Sequence, residues 1–338
     1  MAPAPVGGDG IEKLEDMIVR AAEASADHVR AAKAAIGNVI FGQDAVIDQA
    51  LITILCGGHG LLVGVPGLAK TKLVETMGIA LGLDAKRIQF TPDLMPSDIL
   101  GTEVLEESQA GKRSFRFIQG PVFAQLLMAD EINRASPRTQ SALLQAMQEQ
   151  HVTVAGTRHD LPRPFHVLAT QNPIEQEGTY PLPEAQLDRF LMEIDVDYPD
   201  RAAERRIVFD TTGAEETRAK AAMSAEDLLS AQRLVRRLPV GESVVEAILA
   251  LVRSARPGPE GGEAAKAISW GPSPRASQAL MLAVRARALL DKRFAPSIDD
   301  VLDLATPVLK HRMALTFSAR AEGETVDSVI GRLKSRIG

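Results

Sequence analysis

The chain has little cysteine, few aromatic residues and no excess of positive charge. Its 338 residues include one cysteine, Cys56, and only 4% are aromatic. A single cysteine cannot form a disulfide within the chain, and it excludes a zinc site built from several cysteines. Because Cys56 ends an apolar stretch, we expect its thiol to be buried and unreactive.

The charge balance disfavours a protein that binds nucleic acid without sequence preference, and the lengths of the apolar runs exclude a membrane-spanning helix. Acidic residues outnumber basic ones by 44 to 38, a net charge of −6, whereas nucleic acid without sequence preference is bound by a basic surface. A local basic patch stays compatible with this balance. No apolar stretch is long enough to span a bilayer. The start, MAPAPVGGDG, lacks the features of a secretory signal. We therefore expect a disordered tail over residues 1–10 and a cytoplasmic protein.

Short apolar runs of strand length characterise the first part of the chain. They are Leu61–Val63, Arg87–Thr91, Leu126–Ala129, His166–Thr170 and Met192–Val196. Helical spacing covers Ile11 to Ala50, with a break near Gly37–Gly42, and recurs over Lys70–Leu81 and Pro137–Gln150. Short buried strands that alternate with helices predict an α/β fold with a parallel sheet covered on both faces.

Beyond Tyr198-Pro199 the pattern is helical only. The predicted helices are Ala202–Phe209, Ala225–Leu238, Ser243–Ala255, Arg275–Asp291 and Ile298–His311. We place a boundary near Val196–Asp200, which divides an α/β domain (11–197) from a helical domain (198–338). Two segments of the first domain, Asp93–Gly120 and a predicted hairpin at His151–Asp160, fit neither strand nor helix periodicity and are interpreted as insertions.

The sequence GVPGLAKT at residues 64–71 has the context of a phosphate-binding loop, because it follows a predicted strand and begins a predicted helix. Glycines allow close approach to phosphate oxygens, and the helix start favours an anion. Lys70 can reach the β- and γ-phosphates, and the Thr71 hydroxyl can bind Mg²⁺. Ala69 replaces an expected glycine and needs an allowed φ. The predicted nucleotide-binding residues are Gly64, Val65, Pro66, Gly67, Leu68, Ala69, Lys70, Thr71, Lys72 and Asp130.

The apolar run LLMA is followed directly by two carboxylates, Asp130 and Glu131. Beside a phosphate loop, this pattern predicts that Asp130 holds Mg²⁺, together with Thr71, and that Glu131 activates a water molecule as general base. One carboxylate suffices, because Mg²⁺ is bound mainly by phosphates and water. The alternative is an acidic strand end that faces solvent.

Three further polar residues are candidates for catalysis. Asn172 follows a predicted strand and could orient the attacking water, although Asn-Pro also begins many turns. Arg189 precedes the last predicted strand, and Arg275 begins a helix of the second domain. An arginine supplied in trans could stabilise charge on a transferred phosphoryl group, and one on a mobile lid could report which nucleotide is bound. Either arginine could form a structural salt bridge instead.

The order and spacing of GVPGLAKT, LLMADEINRA, LATQNP, LPEAQLDRF and GPSPRA resemble the MoxR family of AAA+ ATPases over about residues 35–320. The resemblance implies a five-stranded AAA+ core with an insertion in its second helix, then a small all-helical lid. It implies ATP and Mg²⁺ as cofactors, and an alanine in the phosphate loop as a familiar variant. It makes Arg189 the arginine finger, Arg275 the lid sensor and Arg134 a further candidate at a subunit boundary.

The resemblance also implies a chaperone-like ATPase that activates partner proteins, often through metal or cofactor insertion. Such proteins are expected to form homo-hexameric rings, with the two insertions facing the pore, and to act with von Willebrand A domain proteins. This chain has no Asp-x-Ser-x-Ser motif of that domain. A nucleic-acid motor, a metal-chelatase motor subunit and an ATP-gated scaffold without turnover are the alternatives. The acidic balance disfavours the nucleic-acid motor, and Glu131, Asn172 and Arg189 disfavour the scaffold.

Overall fold

The computed structural model describes residues 8–107, 113–175, 178–213, 217–259 and 262–337. Residues 1–7 of the predicted tail and residues 108–112 of the first predicted insertion lie outside this set. Helix α1 spans Gly8–Gly37, three residues earlier than its predicted start, and α2 spans Asp44–Leu55. The predicted break between these two helices is therefore confirmed.

Strands and helices alternate as the first part of the sequence predicts. The strands are β1 Gly60–Val63, β2 Ala85–Gln89, β3 Gly101–Glu107, β4 Arg113–Gln119, β5 Leu126–Asp130, β6 His151–Val154, β7 Thr157–Asp160, β8 His166–Gln171, β9 Met192–Asp195, β10 Ile268–Trp270 and β11 Ala314–Leu315. The remaining helices are α3 Lys70–Ala80, α4 Pro96–Leu100, α5 Pro137–Glu149, α6 Glu184–Leu187, α7 Arg201–Thr212, α8 Ala225–Val235, α9 Glu242–Ser254, α10 Gly262–Lys266, α11 Pro274–Leu290, α12 Ile298–Leu309, α13 Phe317–Ala321 and α14 Val326–Lys334.

Among the described residues, five strands form a parallel sheet in the order β2-β5-β8-β1-β9. The predicted α/β fold with a five-stranded parallel sheet is thereby confirmed. One strand differs, since β2 lies two residues earlier than the predicted Arg87–Thr91. It is an edge strand whose first three residues are exposed, so its apolar run marks only its buried end.

Both faces of the sheet are covered, because alternate residues of each strand point to opposite sides. Leu62, Met128 and Leu168 pack with α1, α2 and α3, whereas Leu61, Leu127 and Val167 pack with α5 and the segment around α4. Cys56 lies buried on the first of these faces, and burial raises the pKa of its thiol, as expected.

Each of the two predicted insertions contains a β-hairpin, β3–β4 in the first and β6–β7 in the second. The second turns at Ala155 and Gly156, which have φ values of 47° and 83°, so the predicted hairpin at residues 151–160 is confirmed. Phe117 of β4 stacks on His159 of β7 with ring centroids 3.9 Å apart. The hairpins are therefore in direct contact. Leu105 and Phe115, a cross-strand pair on β3–β4, are 55% and 71% exposed.

The helices of the second part pack onto the first part rather than forming a separate core. Apolar residues of α8, α9, α11 and α12 belong to the same buried cluster as those of α1 and α2. Asp48 of α2 forms ion pairs with Lys33 of α1 at 2.5 Å and Arg287 of α11 at 3.3 Å. The second part also contains the ribbon β10–β11, which is too short for a periodic signal and was not predicted. No helix in the described residues is long and apolar enough to cross a membrane.

Two buried histidines join the amino ends of the central strands. His59 Nδ1 accepts a hydrogen bond from Val167 N at 2.9 Å, and its Nε2 lies 3.2 Å from the Met147 carbonyl. His166 Nδ1 lies 2.9 Å from the Gly58 carbonyl, and Gln232 Nε2 donates to His166 Nε2 at 3.1 Å. Each ring thus uses one nitrogen as acceptor, which requires neutral imidazoles. Burial lowers the pKa of His59 to about 3 and that of His166 to about 4.

We expect acid to destabilise the fold through these histidines. Above pH 6.5 both rings are neutral whether the chain is folded or unfolded. Below it, the unfolded chain gains protons that the folded chain cannot accept until the pH nears 4, so stability falls with falling pH. By pH 5, each of the two histidines should have lowered the free energy of unfolding by about 2 kcal/mol. Urea unfolding at pH 7 and pH 5 measures the loss.

His166→Gln should reduce this pH dependence by about 2 kcal/mol. His28→Gln is the matched control, because the His28 side chain is 48% exposed and its contact with Asp227, at 3.6 Å, is a surface contact. It should leave the pH dependence nearly unchanged. An equal pH dependence in the wild-type protein and His166→Gln would contradict the assignment.

Candidate functional site

The loop between β1 and α3 lies at the carboxyl edge of the sheet, where open α/β folds bind ligands. It approaches the residue after β9 so closely that a Cβ added at Gly64 would clash with the Val196 carbonyl oxygen. Gly67 has a φ of +85°. Ala69 precedes α3 in the left-handed conformation, with φ 57° and ψ 20°, which costs an alanine about 1–2 kcal/mol. The glycine expected at this position would adopt that backbone conformation without this cost.

The Lys70 side chain folds across the loop that precedes it. Its Nζ donates to the carbonyls of Gly64 at 2.5 Å and Val65 at 2.8 Å. Partial burial lowers the pKa of Lys70, and the nearby carboxylates of Asp130 and Glu131 oppose that shift. An ammonium group within the concave face of the loop is placed to meet a phosphate oxygen.

Asp130, at the end of β5, is held by donors on both neighbouring strands. Thr170 Oγ1 of β8 donates to Asp130 Oδ1 at 2.6 Å. Arg87 of β2 donates to Asp130 Oδ2 from Nη2 at 2.6 Å and from Nε at 3.1 Å. The carboxylate, only 8% exposed, is therefore fixed in orientation and its charge is balanced within the chain.

Glu131 follows in the left-handed conformation, with φ 55°, and this turns its side chain along the sheet edge. Its N–H donates to Thr170 Oγ1 at 2.8 Å. Its Oε2 accepts hydrogen bonds from Gln89 Nε2 at 2.7 Å and Arg134 Nη1 at 3.0 Å. Arg134, predicted near a subunit boundary, is thus a partner of Glu131 in the same chain, and this contact raises the Arg134 pKa.

Asn172 lies one residue beyond β8 and is 5% exposed. Its Oδ1 accepts a hydrogen bond from Ile174 N at 3.1 Å, so the predicted turn is present. Within the described part of the chain its Nδ2 donates no hydrogen bond. Because Asn172 also lines the cavity at the phosphate loop, this amide is available to a ligand there.

These side chains surround one cavity of about 380 Å³. Its lining comprises Pro66, Gly67, Leu68, Ala69, Lys70, Thr71, Lys72, Asp130, Glu131, Thr170 and Asn172. A second cavity of about 550 Å³ shares Gly67, Leu68, Ala69 and Lys72 with the first and continues between the segment before α2 and helix α7. Its walls include Val39, Ile40, Phe41, Pro199 and Ile207. A polar cavity joined to a more apolar one matches a triphosphate joined to a base.

Arg189 and Arg275 lie apart from this cavity. Both line a separate depression of about 200 Å³, together with His59, Met147, Gln148 and Asp188. The chain therefore brings Lys70, Thr71, Asp130, Glu131 and Asn172 together, and it brings the two arginines together at another place. Within the described residues the Arg189 side chain makes no hydrogen bond or ion pair.

Sequence reasoning missed Thr170, Arg87, Gln89 and the apolar cavity. Thr170 carries a signal, because it is the polar residue that ends an otherwise apolar buried strand. Nothing in the sequence marks Arg87 and Gln89 as partners of Asp130 and Glu131, since only the strand order brings β2 next to β5. The segment Val39–Phe41 was interpreted only as a break between helices.

The residues fit a nucleoside triphosphate and a magnesium ion. The loop offers a helix start and an ammonium group for phosphate oxygens. Thr71 and Asp130 supply the hard oxygen donors that Mg²⁺ prefers.

Comparison with known proteins identifies the family. Residues 59–192 match the model of the ATPase family associated with various cellular activities (AAA), and residues 262–333 match that of the AAA lid domain. The chain is 42% identical to Chaperone MoxR1 of Mycobacterium tuberculosis over 300 residues, which cover 88% of this chain and 78% of the relative. The chain belongs to the MoxR family of AAA+ ATPases.

Other relatives agree with this assignment. Protein MoxR of Paracoccus denitrificans is 35% identical over 85% of this chain and 88% of its own length. The crystal structure of a candidate ATPase from Cytophaga hutchinsonii is 38% identical, covers 98% of this chain and 99% of its own, and superposes with a TM-score of 0.88. The MoxR resemblance seen in the motifs is therefore confirmed, and an AAA ATPase domain supports ATPase activity in general terms.

We expect Thr170→Val to damage the site while preserving the volume of the strand. The change leaves the buried N–H of Glu131 and the Asp130 carboxylate without their hydroxyl partner, which should cost about 1–3 kcal/mol of the free energy of unfolding. Because both carboxylates lose orientation, ATP turnover should also fall about tenfold. Urea unfolding and steady-state phosphate release measure the two effects.

Thr53→Val is the matched control. Thr53 is fully buried, and its hydroxyl donates only to the Gln49 carbonyl of its own helix. We expect little change in stability or turnover. Equal losses in both variants would show that Thr170 has no particular role in the site.

Proposed function

We propose that this member of the MoxR family hydrolyses ATP in the cavity at the phosphate loop. The observation that carries the proposal is the meeting of Lys70, Asp130, Glu131 and Asn172 around that cavity. The apolar cavity beside it would hold the base. The amides of residues 64–71 and the ammonium of Lys70 would bind the phosphates.

Each side chain has a defined task in this proposal. Thr71 and Asp130 would hold Mg²⁺, which when bound neutralises charge on the phosphates. Asn172 would donate from its amide nitrogen to orient the water. Glu131 would accept the proton of that water as general base. Gln89 and Arg134 both donate to Oε2, and a carboxylate has further acceptor positions for the water, on Oε1 in particular.

We further propose that Arg189 and Arg275 act on the nucleotide of a neighbouring subunit in a homo-oligomeric ring, with a hexamer as the expected size. Both arginines lie away from the cavity of their own chain, so a task on phosphate suits a second subunit. Arg189 without an ion-pair partner in the described residues supports this assignment. Arg134, which already pairs with Glu131, is assigned to its own site.

The ring would remodel or activate a client protein, in some cases by assisting metal or cofactor insertion. The name of one relative, Chaperone MoxR1 of Mycobacterium tuberculosis, supports a protein client. The exposed Leu105 and Phe115 of hairpin β3–β4 offer an apolar contact for it. We propose that the client or an adaptor carries a von Willebrand A domain and that this protein acts in the cytoplasm. We also keep the division into an α/β domain and a helical domain, with the boundary at residue 197.

Glu131→Gln should keep ATP binding and abolish turnover. An amide preserves the size of the side chain but cannot accept a proton at neutral pH. We expect at least a hundredfold lower phosphate release, with the affinity for a fluorescent ATP analogue within threefold of the wild-type value. Glu175→Gln is the control, because Glu175 lies 4.0 Å from the same Arg134 but does not line the cavity. Wild-type turnover in Glu131→Gln would refute the general base.

Arg189→Ala should lower turnover at least tenfold, and added Glu131→Gln subunits should restore part of it. In mixed rings the Arg189→Ala subunits keep an intact base and receive an arginine from their neighbours. Arg134→Ala provides the contrast. Its turnover should also fall but should not recover on mixing, because the missing arginine belongs to the same site. Recovery of Arg134→Ala and none of Arg189→Ala would reverse the two assignments.

A further inference from the structure

The short segment that carries Arg189 is anchored by a buried arginine of the last third of the chain. Arg312 is only 2% exposed. Its guanidinium donates to the carbonyl of Phe190 at 2.6 Å and to that of Leu191 at 3.1 Å. A second contact joins His311 Nε2 to the Phe190 carbonyl oxygen at 3.0 Å. The backbone on the C-terminal side of Arg189 is therefore fixed by adjacent residues of one 3₁₀ turn, Lys310–Arg312.

Asp188, the residue before Arg189, connects this anchor to the start of α11. Its Oδ1 accepts a hydrogen bond from Arg312 Nε at 2.7 Å. Its Oδ2 accepts one from Ser273 Oγ at 3.1 Å and lies 3.8 Å from Arg275 Nη1. Ser273 also caps α11 by accepting from Arg275 N at 3.2 Å. One carboxylate thus contacts the residues that position Arg189 and those that position Arg275.

The guanidinium groups of Arg189 and Arg275 make fewer contacts than that of Arg312. The Arg312 guanidinium makes hydrogen bonds from Nε, Nη1 and Nη2, as a buried charge must if it is not to destabilise the fold. The Arg275 side chain is 56% exposed, and within the described residues Arg189 has no side-chain partner. The arrangement therefore fixes the backbones of both residues. It leaves the Arg189 guanidinium open toward the depression that they share, and it keeps that of Arg275 at 3.8 Å from Asp188 Oδ2.

We propose that Asp188 and Arg312 are positioning residues that hold Arg189 and Arg275 as one unit for the nucleotide of the neighbouring subunit. This inference rests on the proposed action of those arginines between subunits. Through Asp188, any displacement of the start of α11 is transmitted to the segment that carries Arg189. Neither Asp188 nor Arg312 lines the cavity at the phosphate loop, so their removal should not weaken ATP binding by the same subunit.

Arg312→Lys tests the proposal. A lysine keeps a positive charge opposite Asp188 but loses the planar group that reaches several acceptors. We expect kcat to fall about tenfold while KM for ATP stays within twofold. Mixing with Glu131→Gln subunits should restore turnover, as for Arg189→Ala, because the neighbour then presents a correctly held arginine pair. A purely structural role would lower activity without recovery on mixing.

Ser273→Ala is the milder second variant, since it removes one hydrogen bond to Asp188 and leaves the buried ion pair intact. It also removes the side-chain cap of α11. Ser224→Ala is its matched control, because Ser224 caps α8 through Asp227 N and has no contact with Asp188. We expect a threefold lower kcat with recovery on mixing for Ser273→Ala, and wild-type kcat for Ser224→Ala.

The outcomes separate this inference from the function on which it rests. A reduced kcat that recovers on mixing supports the positioning role of Asp188 and Arg312. If Arg312→Lys does not fold, the result for Ser273→Ala is the test of that role. Unchanged kcat overturns it, and so does a loss without recovery when Arg189→Ala does recover. If Arg189→Ala itself shows no recovery, the proposed action between subunits fails, and this inference fails with it.

Discussion

The hydroxyl of Thr170 connects the ends of the two central strands on which the site is built. It donates to the Asp130 carboxylate and accepts from the Glu131 N–H, with no exposure to solvent. A buried hydroxyl that makes both bonds fixes its neighbours more strictly than apolar packing does, because a lost partner leaves a polar group unsatisfied. The two carboxylates of the site, and Asn172 two residues further along, take their positions from this contact.

Charge balance is the second constraint on the site. Asp130 is paired with Arg87, and Glu131 with Arg134, while Lys70 bonds to the carbonyls of its own loop. Isolated charges at such depth would be costly. In the proposed mechanism phosphate and water bind to positions that these contacts leave open, such as the third N–H of Lys70 and Oε1 of Glu131.

The helical second part is bound to the α/β part by apolar contact and by buried polar contact. The apolar cluster continues from α1 and α2 into α11 and α12. The Arg312 and Asp188 ion pair then joins the 3₁₀ turn at Lys310–Arg312 to the segment before β9. Such a connection transmits displacements in both directions, because packed interiors deform little. The arginines near this connection are therefore coupled to the lid by the same contacts that stabilise it.

The sequence by itself determined the α/β fold, the strand-to-helix context of the phosphate loop, and the placement of Lys70, Asp130, Glu131 and Asn172 at one edge of the sheet. These features are local, since they depend on periodicity within an element and on residues at its end. It did not determine which strand lies beside β5, and so it missed Arg87 and Gln89 as partners of the carboxylates. It also could not place Arg189 and Arg275 together, because 86 residues separate them along the chain. Tertiary structure decided those features, since strand order and lid packing depend on contacts between distant segments that no local pattern encodes.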